Sequence, residues 1–211
     1  MLALYYSPRA CSMASHVALE EAGVEFEARL VNIFEGEHLT PEYKKINPRS
    51  KVPALQFDDG SILVESPAIL SWIGRTHSDK NLLGRNELDQ ARCISVCSWL
   101  ASTVHPAFGR FVRPERFAGD EASQAAVKAS AKETYWESLQ EVDRMLADRT
   151  WLMGTDFTVA DPYAQVFYGW GPELELPVEE LKNFTAMKDR LLERPIARKI
   201  LERENSPLLT M

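Results

Sequence analysis

Every strand signal in this chain lies in its first 77 residues, and that asymmetry limits the possible folds more than any other feature. Leu2 to Tyr6 is short, apolar and aromatic, and a helical pattern from Ser12 through Val17 and Leu19 follows it and stops at Gly23. Phe26 to Ile33 predicts a second strand with Phe26, Ala28 and Leu30 on one face, parallel to the first because a crossover helix separates them. A short helix is expected at Pro41 to Ile46. Val52 to Phe57 and Ile62 to Val64 then flank Asp58-Asp59-Gly60, a hairpin signal, and Ser66-Pro67 opens a helix running to Thr76 with proline at its favoured start. The order β-α-β-α-β-β-α predicts a small α/β unit over 1–77 with a mixed four-stranded sheet.

Ser78 to Asn86, polar with an apolar plug at Leu82-Leu83, reads as a linker over 78–86, and residues 87–211 predict an all-helical domain. Its helices are expected at about Glu87 to Phe111, Glu121 to Ala147, from near Thr158, at Val178 to Leu192 and at Pro195 to Arg203. Thr158-Val159-Ala160-Asp161 has the form of a capping box, in which the hydroxyl accepts from the third amide and the carboxylate returns to the cap amide. The chain holds 24 basic and 31 acidic side chains with the signs mixed, which argues against a nucleic-acid surface but allows a local site for a small anion. No apolar run is long enough to span a membrane, and no basic, apolar leader precedes Pro8. The expected location is the cytoplasm.

Three cysteines cannot form a disulfide framework and suit a reducing compartment. Cys93 and Cys97 share a helix face as packing residues, and without a second ligand pair no zinc site is expected. Cys11 stands where the first strand meets the first helix; amide groups and the helix dipole there favour a thiolate, while a small buried packing residue is the plain alternative. Arg9 would add positive potential, and Ser12 serves equally as a helix cap or as a donor to a sulfur anion. Val52 before Pro53 could turn its backbone outward to pair with an extended peptide. Glu65 and Ser66, at the start of a helix, could hold an ammonium and a carboxylate, or simply cap it. Ser98, Ser102 and His105 fall at i, i+4 and i+7, one polar stripe ahead of Pro106, which should kink or end the helix. His105 there either caps a carbonyl or handles a proton. Phe108, Phe111 and Trp170 supply aromatic surface for packing or for a pocket wall.

Tyr5-Tyr6-Ser7-Pro8 with Cys11-Ser12, Ile46-Asn47-Pro48 before Lys51-Val52-Pro53, Glu65-Ser66, Val104-His105 and Phe157-Thr158-Val159-Ala160-Asp161 together resemble the glutathione S-transferases, most closely their bacterial beta class. The resemblance spans nearly the whole chain. It implies a thioredoxin-like N-terminal domain, a helical-bundle C-terminal domain, a cis bond before Pro53, a homodimer, and glutathione as co-substrate with no metal. It assigns Val52 to the cysteinyl backbone of glutathione, Glu65 and Ser66 to its γ-glutamyl end, and Cys11 and His105 to its sulfur, with Ser102 and Ser98 on the same face. A small hydrophobic electrophile would lie beside Phe108, Phe111 and Trp170, in a detoxifying conjugation. Thiol-disulfide exchange or peroxidase chemistry through Cys11, and a non-catalytic binding role, are the alternatives.

Two departures bear on affinity. The class often has a lysine after the histidine and a basic residue after the second strand, near the glycyl carboxylate; Pro106 and Glu35-Gly36-Glu37 stand there instead. Arg9, Lys51 and Arg113 are the candidates to replace them. Glycine is common at the position of Arg9, so this side chain narrows or charges the entrance.

Overall fold

A computed structural model describes all 211 residues. Four strands, β1 (Leu2–Tyr6), β2 (Phe26–Leu30), β3 (Ala54–Gln56) and β4 (Ile62–Val64), form one sheet in the order β2-β1-β3-β4. β1 pairs parallel with β2 and antiparallel with β3, and β3 pairs antiparallel with β4, so the sheet is mixed as expected. Helices α1 (Ser12–Ala22), α2 (Pro41–Ile46) and α3 (Ser66–Thr76) complete this thioredoxin-like unit. Two strands are shorter than their apolar runs. β2 ends at Leu30 because Asn32 turns the chain, its side chain accepting from the Phe34 amide; Leu30 itself faces solvent on this edge strand, not the core. β3 starts only at Ala54, since Pro53 has no amide to give to the ladder. The Val52-Pro53 peptide is cis.

The remaining helices are α4 (Glu87–Trp99), α5 (His105–Val112), α6 (Glu121–Met145), α7 (Ala160–Trp170), α8 (Lys182–Glu193) and α9 (Pro195–Arg203). The long helix expected from Glu87 to Phe111 is not uniform: Leu100–Val104 is a π-helical segment in which the His105 amide donates to the Leu100 carbonyl. Pro106 follows at once, and the wider turn absorbs a residue that cannot donate an α-helical bond. The wide turn also shifts the helical phase between Ser98 and His105; Ser98 and Ser102 are exposed, whereas His105 is partly buried. Val178 to Glu180 forms a separate 3-10 turn before α8, at Pro177 and Leu181.

The capping box forms only in part. Asp161 accepts from the Thr158 amide at 2.7 Å, but the Thr158 hydroxyl donates to that same carboxylate at 3.1 Å instead of accepting from the Asp161 amide. The second carboxylate oxygen accepts from the Leu152 amide at 2.8 Å. Asp161 is fully buried, and burial pushes its carboxyl up to about 6. It therefore closes the loop before α7 as well as the helix end.

The two parts share one interior. A single cluster of 45 buried residues runs from Leu4 and Leu55 in the sheet through α1 to Tyr135, Leu139 and Phe167 in the helical domain. α1 packs against α3, α7 and α9, which explains why nearly every residue from Ser12 to Leu19 is buried. Leu82 and Leu83 do plug the junction: Gly74 on α3 leaves so little room that an added Cβ would lie 2.4 Å from Leu83 Cγ. Polar ties cross the same boundary, with Val159 donating to the Leu82 carbonyl at 2.8 Å and buried His16 meeting Glu204 at 2.6 Å. The cleft edge between the parts is thus set by packed cores on both sides.

Candidate active site

A cleft of about 550 Å³ opens between the α/β unit and the helical domain. The α/β wall contributes Arg9, Ala10, Cys11, Phe34, His38, Lys51 and Val52; the helical wall contributes His105, Phe108, Val112, Arg113, Arg116 and Trp170. The floor of the first wall is tightly determined. Ser12, fully buried, accepts from the Ser7 amide and donates to the Ser7 carbonyl, both at 3.1 Å, so it closes the turn ahead of α1 and reaches neither a helix cap nor a ligand.

Cys11 occupies the N-cap position of α1 with its sulfur 3.6 Å from the Val52 carbonyl, and the Ser66 hydroxyl donates to that sulfur at 3.8 Å. The helix end does not make it a thiolate here. Burial pushes the Cys11 thiol up to about 11, outweighing the Ser66 bond and the charge of Lys51. At neutral pH Cys11 is therefore an S–H group. Tyr163, which sequence reasoning overlooked, lies beneath Cys11 and Ser66, and burial raises its phenol as well.

The Val52 amide has no hydrogen-bond partner in the chain, and its carbonyl faces Cys11. Tyr43 and Asn47 both donate to the Lys51 carbonyl, at 2.7 and 2.8 Å, which fixes the backbone one residue earlier. Glu65 sits at φ 74° as the N-cap of α3 and pairs with Arg49 at 3.0 Å, while Ser66 is buried at the first turn. Neither forms part of the cleft lining itself.

On the opposite wall Trp170 stacks on Phe108 with ring centroids 4.3 Å apart, and its indole N–H donates to the Arg9 carbonyl at 2.9 Å. His105 stands edge-on to Trp170 at 5.1 Å. Burial, aided by the charge of Lys51, pushes His105 down to about 4, so its imidazole is neutral at pH 7. Phe111 does not line the cleft; three residues are short of a full turn, which offsets it by about 60° from Phe108, and the Lys128 ammonium of α6 lies 5.8 Å over its ring. Ser98 and Ser102 are exposed and also outside the lining. The π-helical phase shift falls between Ser98 and His105.

Sequence reasoning missed His38, Val112 and Arg116. His38 buries an Nδ1 with no partner, and its imidazole is held below the usual range by burial and by Lys51, Arg116 and Arg113. The cleft lining therefore carries four cations, Arg9, Lys51, Arg113 and Arg116, against one carboxylate, Glu173, which pairs with Arg9 at 3.2 Å. A chain of net charge −7 has gathered its positive potential here. No cluster of three or more metal-ligating side chains occurs, and no helix is long and apolar enough to cross a membrane.

Sequence and fold comparisons place this architecture among known proteins. The family descriptions "Glutathione S-transferase, N-terminal domain" and "Glutathione S-transferase, C-terminal domain" match residues 9–76 and 100–195. The chain is 32% identical to the glutathione S-transferase GstA of Escherichia coli O157:H7 over 203 residues, which covers 95% of this chain and 98% of that one. A glutathione transferase homologue from Sulfitobacter, solved with bound glutathione, superposes with a TM-score of 0.90 at 28% identity over 96% of this chain and 98% of that chain. The bacterial beta class glutathione S-transferase of Sphingomonas chungbukensis gives 0.82 at 33% identity, with the same coverage of each chain. Shared fold and shared sequence over nearly the full length converge: the chain belongs to the glutathione S-transferase family.

Proposed function

We propose that this protein is a glutathione transferase that binds glutathione along the Lys51-Val52 edge and delivers its sulfur to an electrophile lying against Phe108 and Trp170. The observation that carries the reading is the unpaired Val52 amide opposite Cys11, a free strand-like edge for an extended peptide. Antiparallel pairing of the cysteinyl residue with Val52 directs the γ-glutamyl end toward Ser66 and the start of α3, where amide groups and the helix dipole favour its carboxylate. Glu65 is then placed to accept from the ammonium, in exchange with Arg49. The glycyl end runs toward Lys51 and His38.

The chemistry follows from the charges. Lys51 and the first turn of α1 favour the anionic form of the glutathione thiol, whose proton leaves to solvent. The Cys11 thiol and the neutral His105 imidazole then donate to the sulfur anion. The anion attacks the electrophilic carbon; a C–S bond forms, and the leaving group departs with its electron pair. Phe108 and Trp170 hold the apolar body of the electrophile.

A thiol-disulfide oxidoreductase would need Cys11 as a thiolate, and its burial works against that. Cys11→Ser separates the two: conjugation of a halogenated nitroaromatic should stay within about tenfold of wild type, since one donor is exchanged for another. Reduction of a glutathione mixed disulfide should vanish. A wild type that reduces the mixed disulfide faster than it conjugates, with both rates lost in Cys11→Ser, would make the oxidoreductase the main activity, and calorimetry with no heat at millimolar glutathione would favour a non-catalytic binding protein.

A homodimer belongs to the same proposal. Ser98 and Ser102 are exposed outside the cleft of their own subunit, so they reach glutathione only if α4 and the π-helical segment after it present them to a second copy. Sedimentation should then give about twice the chain mass of 23.9 kDa. A cytoplasmic detoxifying role completes the reading.

A further inference from the structure

We propose that Arg113 and Arg116 make the electrophile half of the cleft a receptor for a co-substrate that carries its own carboxylate beside an apolar ring. The inference rests on the glutathione reading above and adds the class of electrophile.

Glutathione leaves these two arginines without a task. Its γ-glutamyl carboxylate goes to the start of α3, and its glycyl carboxylate falls beside Lys51, the residue preceding Val52, with His38 across from it. Arg113 and Arg116 belong to the other wall, at the C-terminal end of the helix that presents Phe108 and Val112. Arg113 precedes and Arg116 ends the 3-10 turn Pro114–Arg116, closed by the Arg116 amide donating to the Arg113 carbonyl at 3.2 Å, and both side chains line the cleft. Glu115 between them is exposed and outside the cleft lining.

Neither arginine, nor Lys51, takes part in any ion pair of the chain. Their field reaches across the cleft, since both lower the proton affinity of His38 on the opposite wall. Two guanidinium groups lining the same cleft as a stacked Phe108–Trp170 pair fit a molecule with a flat apolar body and a carboxylate taken by a forked contact. A neutral hydrophobic electrophile would use the aromatic surface and leave the arginines unused.

The test compares chlorodinitrobenzene with its ring-carboxylated analogue, chlorodinitrobenzoate, each kcat/KM divided by the rate of the same electrophile with free glutathione. In both, chloride leaves as the C–S bond forms. Wild type should favour the carboxylated substrate by at least about tenfold, the scale of one charged hydrogen bond. The Arg113→Gln, Arg116→Gln double variant should lose that preference through the KM of the carboxylated substrate. Both side chains are exposed, and the wild-type ratio and its decline with added salt need no variant at all. A wild-type ratio at or below one overturns the inference while leaving the transferase intact. So does a rise in glutathione KM in the double variant with the ratio unmoved, which would return the arginines to the tripeptide. No turnover of either substrate, with no heat on titrating glutathione, would remove the transferase reading and this inference together.

Discussion

The two walls of the cleft are built on different principles. The α/β wall offers backbone: the Val52 amide and carbonyl and the capping end of α1, held by bonds such as Ser7–Ser12 and Tyr43–Lys51. The helical wall offers side chains: a stacked aromatic pair, a neutral histidine and two exposed arginines at a helix end. On the proposed reading the backbone edge takes glutathione, whereas side chains on a helix can change one at a time without disturbing a ladder. The first wall therefore suits a constant ligand and the second a variable one.

The largest expected effect tests how the helical wall is anchored. Asp161→Ala leaves the Leu152 and Thr158 amides and the Thr158 hydroxyl without their buried acceptor, and should destabilise the protein by about 3–5 kcal/mol in urea unfolding. If the walls are as separable as their chemistry, glutathione binding to the surviving folded fraction stays near wild type. A loss of glutathione affinity out of proportion to stability would show that the helical wall also shapes the backbone edge.

Trp170→Phe probes the hydrogen bond from a helical-wall side chain to the backbone of the α/β wall. It keeps a ring on Phe108 but removes the donor to the Arg9 carbonyl, at a cost of about 1 kcal/mol. The KM for the electrophile should rise more than that for glutathione, as measured by varying each at saturation of the other.

Lys51→Gln reaches from the α/β wall into the helical one through charge alone. Lys51 helps hold His105 down at about 4, so its removal should move the His105 titration, followed by NMR, upward toward the usual histidine range. The sign for stability follows. A histidine depressed in the folded state binds fewer protons there than in the unfolded chain between about 4 and 6.5, so stability is lost as pH falls through that window. The variant should lose less of it. An unchanged His105 titration would mean that burial alone sets its proton affinity.

How far the sequence revealed each wall follows the same division. The backbone wall was legible because its determinants are local: Asp58-Asp59-Gly60 makes the hairpin, Ser66-Pro67 starts α3, and Val52-Pro53 interrupts β3. The helical wall was legible only where single residues stood out, as Trp170 and His105 do. Ser98 and Ser102 were placed beside His105 by a regular helical period, which the π-helical Leu100–Val104 segment breaks. Phe111 was chosen as an aromatic near Phe108, but three residues along α5 turn it toward α6. His38 and Arg116 carry no local signal, because their meeting depends on how the loop after β2 and the end of α5 face each other. Cys11 shows a different limit. Its place at a helix N-terminus was read correctly, but the sign of its proton affinity depends on how deeply Val52, Ser66 and Tyr163 bury it.

Arg9→Gly should have the smallest effect on stability and the most informative one on the charge of the entrance. Arg9 holds φ at 63°, a left-handed conformation that costs a non-glycine residue about 1–2 kcal/mol and glycine nothing. Against that relief stand the greater chain entropy glycine brings to the unfolded state, about 0.5–1 kcal/mol, and the loss of an exposed ion pair to Glu173 that contributes about 0–1 kcal/mol. The terms nearly cancel, and the urea midpoint should scarcely move. The bond from Trp170 survives, because it goes to the backbone carbonyl of residue 9. What changes is the field: the lining drops from four cations to three, and the Glu173 carboxylate loses its partner within the cleft. The preference for a carboxylated over a neutral electrophile should therefore fall, though less than on removing Arg113 and Arg116. An equal or larger fall would place the anion at the entrance beside Arg9 and not at the end of α5.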